Sequence, residues 1–536
     1  LVGSPAFIEH WTNKWADLLQ VNRKFLGEKG AAEFRKYIRE AVADNKPYDK
    51  FVYDILTASG SNLENPAASY FKILRDPEVA MENTTQLFLA TRFNCNKCHD
   101  HPFERWTQDQ YYQLSAFFAQ VERKEDPKYK GQKVGGTNVE AAVPLVEDIS
   151  DKTSGDVKHL RTGAVAPPKF PYTHKDLASD KDARRVQLAH WVVSKDNPYF
   201  AKSYVNRLWA YMLGVGIIEP IDDIRAGNPP TNPKLLDRLT TEFVASGFDV
   251  RHMMKTICKS RVYQHAMVTN KWNEDDQINY SHAIARRLPA EVLFDTIERT
   301  TGSRSSLPGL RAGARAAELL DSNVDVGGGF FELFGKPARE SACECERSSG
   351  MLLAPVLNLT NGPVVAEALK DPQNRLNQIL AANPDSAKAV DELYMAMLCR
   401  KPTAKEMADG LRTIQESEGD FVEYVKAYEK LAADLETYEK TVPAKMAAWE
   451  NVVANVPTWT PVETITAVSK NGASLARQPD GSVKASGKNP ETDHYTITTL
   501  SKLNAITGIR LEALPDSTLP GKGPGRGNGN FVLTEF

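Results

Sequence analysis

Apolar residues recur at three- and four-residue steps from Phe7 to Val21, from Ala31 to Ala43 and from Tyr48 to Ala58, a spacing that predicts amphipathic helices. Pro77 opens a further helix carrying Leu87, Phe88, Leu89 and Phe93 into a polar break at His99 to Glu104. Beyond the break, Thr107-Gln108-Asp109-Gln110 has the character of a helix start and leads into Tyr111, Tyr112, Leu114, Phe117 and Phe118. From Lys124 to about Asp180 the pattern gives way to Gly, Pro, Lys and Thr, which predicts a connecting segment with a few short strands. Helical periodicity resumes over Val186 to Val193, Ala201 to Leu213, Pro233 to Ser246, His252 to Ser260, Pro289 to Thr300 and Ala387 to Leu398. From Asp420 to Val453, Tyr424, Tyr428, Leu431, Leu435 and Tyr438 follow alternating four- and three-residue steps. That spacing suits a helical hairpin, a coiled-coil seam or a helix packed on its own domain.

After Pro457 the pattern turns to β runs at Ile465 to Val468, Ser482 to Ala485, His494 to Thr498 and Gly508 to Ala513, with turn signals such as Pro479-Asp480-Gly481 between them. The reading is a mainly α protein. A helical domain spans 1–123, a connecting segment 124–182, a second helical domain 183–455, and a smaller, incomplete β-sandwich-like module 456–536.

A chain of 536 residues, 41% of them apolar, can bury several cores. Its formal net charge of −3 creates no field that would draw nucleic acid. No run of about 18 uncharged apolar residues occurs, so no transmembrane segment is expected. The chain begins at Leu1-Val2-Gly3 without Met and stops within the strand-like Phe531 to Phe536, so it reads as an internal or processed portion of a longer polypeptide.

The 6 cysteines are too sparse for a disulfide framework and are expected at sites. Cys95-Asn96-Lys97-Cys98-His99 has the CxxCH form that covalent haem attachment requires: two thiols add to the two vinyl groups of one porphyrin, and the adjoining imidazole ligates the iron. Chance would produce it on the order of once in a thousand such chains. In this reading Phe93, Phe103, Trp106 and Phe117 exclude water from the porphyrin. A rival reading joins Cys95 and Cys98 to Cys343 and Cys345, four thiolates suited to zinc or an iron–sulfur centre. Disulfides or inert thiols are the third alternative. Candidates for a distal iron ligand are His101, His265, Met253 and Met254, each of which also reads as an ordinary core or surface residue.

Asp222-Asp223, with Arg225 and Asn228, could bind a cation or substrate, against the plainer reading of a capping loop. Arg286, Arg287, Arg339 and Arg347 could meet haem propionates, against the plainer reading of salt bridges. Gly521 to Gly527 opens no helix and reads as a loop rather than a phosphate cradle. Neither GxSxG, HExxH nor a Walker loop occurs, so hydrolase and nucleotide readings have no motif support.

Cys95 to Tyr112, CNKCHDHPFERWTQDQYY, resembles the signature of the planctomycete cytochrome-type domain. Asn197 to Pro233, Arg286 to Glu291 and RESACECERSSG from Arg339 to Gly350 resemble the planctomycete-specific domain that accompanies it in large secreted proteins of poorly known function. The segment after Pro457 is similar to carbohydrate-binding-like sandwich modules. The resemblance implies an exported protein, periplasmic or at the cell surface, with Cys95, Cys98 and His99 holding haem c and His99 on the iron. It also implies a redox partner protein or another haem domain as partner, with polysaccharide as a suggested substrate, and it makes Cys343 and Cys345 part of the family pattern. Gln264-His265-Ala266 departs from the family's Gln-Leu-Ser, which weakens His265 as a ligand. The expected function is electron transfer or haem-dependent oxidation at the cell surface. The alternative is a non-haem surface or assembly protein in which a structural metal site made by the four thiolates joins the two helical domains.

Overall fold

The computed structural model describes residues 1–136, 141–173, 179, 181–304, 307–311, 313–320, 324–347, 353–454 and 459–536, without the side chains at 345, 417–420 and 453–454. It is mainly α, as the periodicity predicts, and divides into two compact units, Leu1–Ala408 and Asp409–Phe536.

Helix starts in the first unit follow ordinary capping chemistry. Ser4 accepts from the Phe7 amide at 3.2 Å ahead of the helix Pro5–Leu18, and Asp76 accepts from the Glu78 and Val79 amides ahead of Pro77–Leu89. The helix Gln108–Ser115 opens on a capping box between Thr107 and Gln110, where the polar break predicts a start. In the helical stretch Arg23–Ala43, Gly27 takes φ +68°, and a Cβ there would meet Leu145 at 2.5 Å, so only glycine fits the close approach.

One hydrophobic core runs from Trp11 to Ala342 and draws on the N-terminal helices, the 124–182 segment and the helices up to Val250–Lys259. Its centre is an aromatic stack: Tyr48 lies 3.9 Å from Tyr204 and 4.8 Å from Phe200, ring to ring, with Trp15 stacked on Tyr204 at 5.8 Å. The helix Phe200–Leu213 is thereby fastened to Pro5–Leu18 and Tyr48–Thr57. A smaller core gathers Phe294, Phe330, Phe331 and Phe334 near the helix Ala290–Thr301.

The 124–182 segment is more than a tether. Its strand Glu147–Asp151 is central in a three-stranded antiparallel sheet, with Gly60–Ser61 on one side and Val121–Glu125 on the other. Buried Glu147 receives the Arg75 guanidinium at 2.6 and 3.0 Å and lies 3.4 Å from the Lys72 ammonium.

The long helix Ala404–Ala454, which falls in the second unit from Asp409 on, starts earlier than the Asp420 its seam predicts. Two antiparallel ladders follow, Glu463–Ser469 with Tyr495–Leu500 and Ala473–Arg477 with Val483–Gly487. Gly508 to Ala513, expected as a strand, carries no ladder pairing and is irregular. Its alternating side chains fit a strand, but a strand forms only where a neighbour accepts its hydrogen bonds. No helix among the described residues is long and apolar enough to cross a membrane.

Candidate functional site

The CxxCH stretch lies on a loop whose backbone is fastened from inside. The helix Pro77–Leu89 ends at Ala90 in the left-handed conformation, Phe93 packs into the core, and Asn94–Lys97 forms one 3-10 turn. Asn96, fully buried, points inward: its amide donates to the Phe93 carbonyl at 2.8 Å and its Nδ2 to the Trp106 carbonyl at 2.7 Å. The same Trp106 carbonyl accepts from the His101 amide at 2.9 Å. The Lys97 carbonyl accepts from Tyr112 Oη at 2.8 Å and Gln108 Nε2 at 3.0 Å, and Asp100 accepts from the Gln108 amide at 2.7 Å.

With Asn96 turned inward, its neighbours face out. Cys95 and Cys98 are free thiols, and they and His99 are exposed. His99 Nδ1 lies 2.7 Å from the Asp100 carbonyl, so Nδ1 carries the proton and Nε2 is left as the free lone pair. Two exposed thiols beside an exposed imidazole form a donor set that fits covalent haem.

The cover expected for the porphyrin is placed differently. Phe93, Trp106 and Phe117 are buried, with Phe93 5.2 Å from Trp106 and Phe117 stacked at 4.3 Å on Phe170. Only Phe103 of the four stands out, at 83% exposed. The aromatic flanks build the floor under the loop because ring burial in a packed core outweighs their lying open beside it.

The distal-ligand candidates separate. Met253 and Met254 lie in the core, His265 is exposed, and His101 Nδ1 accepts from the Phe103 amide at 3.2 Å. Asp222 is buried and bound to Gln86 Nε2 at 2.7 Å and to the Arg92 guanidinium, so it secures the segment leading into the loop and is already neutralised.

The second cysteine motif belongs to a different environment. Cys343 is disulfide-bonded, and the Cys345 side chain lies outside the described residues. Cys95, Cys98 and Cys343 are not gathered together, and among the described residues no three His, Cys, Asp or Glu side chains converge to hold a metal ion. Around Cys343 lies a charge cluster that the sequence reading missed. On the helix Pro5–Leu18, residues His10, Asn13, Lys14 and Asp17 follow i, i+3, i+4, i+7 spacing and form one polar stripe. Asp17 takes Arg339 Nε at 2.9 Å and Arg347 Nη2 at 2.7 Å. Arg347 also forks onto Glu291 at 2.8 and 3.0 Å, and Asn13 ties Arg339 to Glu291. Arg207 donates to Glu344 at 2.8 Å, Tyr211 also hydrogen-bonds Glu344, and Lys14 sits 4.2 Å above the Tyr211 ring.

Burial alone would raise the Glu291 pKa, but the Arg347 charge and its hydrogen bonds hold this carboxyl well below the usual range. Burial lowers Lys14, and burial with the Lys14 charge pushes His10 down to about 4, so His10 is neutral at pH 7. Lys14, Asp17, Tyr211, Ser341, Cys343 and Arg347 line a cavity of about 20 Å³, room for one water-sized molecule. Arg339 and Arg347 are thus committed to carboxylates, while Arg286 donates to the Tyr211 and Met212 carbonyls and Arg287 to the Phe334 carbonyl. The polar stripe of His10, Asn13, Lys14 and Asp17, interleaved with Trp11 and Trp15, was the one available sequence signal for this cluster.

No curated protein and no solved structure matches the chain. Residues 1–123 match the family described as PSCyt2, protein of unknown function (DUF1549), which contains the exposed loop and the polar stripe. Residues 184–414 match the family described as PSD1, protein of unknown function (DUF1553), which contributes Arg207, Glu291 and the 339–347 motif, so the chain is similar in succession to these two families.

Proposed function

We propose that this chain is an exported c-type haem protein that transfers electrons at the cell surface, with Cys95 and Cys98 forming the thioethers and His99 ligating the iron. The observation that carries the reading is the presentation of two free, exposed thiols and an exposed His99, its Nδ1 held by the Asp100 carbonyl, on a loop whose backbone is held by Asn96, Trp106 and Tyr112. A covalently attached haem would supply a one-electron couple. The chain's part is to hold the thiols three positions apart, fix the imidazole tautomer through the Asp100 carbonyl, and leave the group open to a docking redox partner. The disulfide at Cys343 is chemistry of an oxidising compartment and supports export. Trp459 and Tyr495 in the β module are 50% and 41% exposed, ring surfaces on which sugars stack, and they support a polysaccharide association.

Expression in an exporting bacterium equipped for c-type maturation tests the reading. The expected product shows a Soret band and the mass of one covalent haem, both lost in Cys95→Ala/Cys98→Ala. A folded, exported product that carries stoichiometric zinc and no visible absorption overturns it.

A further inference from the structure

The long helix Ala404–Ala454 carries an apolar seam that the haem reading does not use. Written as heptads, Phe421, Tyr428, Leu435, Val442 and Trp449 occupy successive a positions. Tyr424, Leu431, Tyr438, Lys445 and Val452 occupy the d positions between them. The repeat of 3.5 residues holds without a break over these 32 residues, about 48 Å of helix, and Pro443 falls at a b position outside the seam. Every a and d residue is exposed, from Val442 at 36% to Tyr424 at 78%, Lys445 among them. A strict 3.5 repeat matches another helix winding alongside.

The charges say which helix. In a parallel pair of identical helices Lys445 would meet the partner's Lys445 in the seam, and Asp434 at g would face the partner's Glu439 at e. Both juxtapositions set like charges against each other, and the second occurs twice by symmetry. Reversing one helix removes both. Centred between Leu435 and Tyr438, the antiparallel pair sets Tyr428 against the partner's Lys445, an ammonium over an aromatic face. It sets Phe421 against the partner's Val452, Leu435 against the partner's Tyr438, and Asp434 against the partner's Thr441. Ala427 then meets the partner's Ala448 at the flank of the seam, small against small. At on the order of 100 Å² for each large side chain, the seam offers roughly 1,000 Å² per copy, enough for a specific interface.

We infer that the 421–452 seam is a self-association surface on which a second copy of this chain docks antiparallel as a two-stranded coiled coil. Sedimentation equilibrium of the full chain is expected to give twice the 59.5 kDa chain mass. Leu431→Glu and Leu435→Glu, both at exposed positions, should each weaken association at least about tenfold while the helical circular dichroism of the first unit is retained. Orientation is read by oxidative cross-linking. Phe421→Cys/Val452→Cys should yield a covalent dimer in which a peptide containing position 421 is joined to one containing position 452, whereas Phe421→Cys alone should cross-link no more than the unaltered chain. A monomer at tens of micromolar, a trimer, a dimer indifferent to both glutamates, or efficient cross-linking by Phe421→Cys alone overturns the inference.

Discussion

At residues 95–99 the side chains that carry chemistry face solvent, and buried amides and hydroxyls beneath them hold the backbone. At residues 339–347 the charged side chains are themselves the fastening, paired with Asp17, Arg207 and Glu291 from distant parts of the chain. Both motifs are short, carry two cysteines and stand out in the sequence. The difference teaches that a cysteine-rich motif marks a site only after its surroundings are known. Exposed thiols on a fixed frame are free to react, whereas a motif wrapped in paired charges serves first to join segments over 300 positions apart, as Arg339 joins Asp17.

The contrast breaks most sharply at Arg347. Arg347→Ala leaves Glu291 buried without its main partner and should cost about 3–5 kcal/mol in denaturant-induced unfolding. An unfolding change below about 1 kcal/mol would place the cluster among decorative surface pairs instead. The same pairing fixes a pH dependence. Because the folded carboxyl of Glu291 is held below its ordinary 4.5, its stabilisation is fully present above pH 4.5 and is lost as the pH falls below that value. Unfolding midpoints between pH 7 and pH 3 should therefore converge for the native chain and a Glu291→Gln variant.

A smaller effect belongs to the frame of the exposed loop. Asn96→Ala removes the Nδ2 donor to the Trp106 carbonyl and should cost about 1–3 kcal/mol, with a lower yield of covalent haem read as the ratio of Soret to protein absorbance. Smallest of all in stability is the change at the proposed attachment points. Cys95→Ala and Cys98→Ala in the haem-free chain should shift unfolding by less than about 0.5 kcal/mol, since both side chains are exposed. A large loss there would mean that the thiols are structural and would bring the two regions into one class.

Much of this was legible in advance because it is local. The helices Pro77–Leu89 and Gln108–Ser115 on either side of CxxCH are announced by Pro77 and Thr107, whose capping chemistry acts within one turn. The position of the pentapeptide between aromatic flanks followed from the same pattern. Which way those aromatics point did not, because Trp106 packs on Tyr172 and Tyr199 from another part of the chain and Phe93 packs on Trp106 in turn. The charge cluster was hidden for a related reason. An arginine such as Arg347 reads as a solvated surface residue until Asp17 and Glu291 are known to lie beside it. Gly508 to Ala513 fails oppositely, having strand composition without a partner strand.

The Trp106 carbonyl, held by the Asn96 side chain and the His101 amide together, has a consequence for the order of events in making this protein. Its bonds close the loop using protein atoms only, so the frame for positions 95, 98 and 99 is built from the chain's own hydrogen bonds. Under the proposed haem reading folding and loading are then separable stages, unlike a metal finger whose ligands collapse only around the ion. Under that reading, a chain of this design presents its two exposed thiols on an already folded loop.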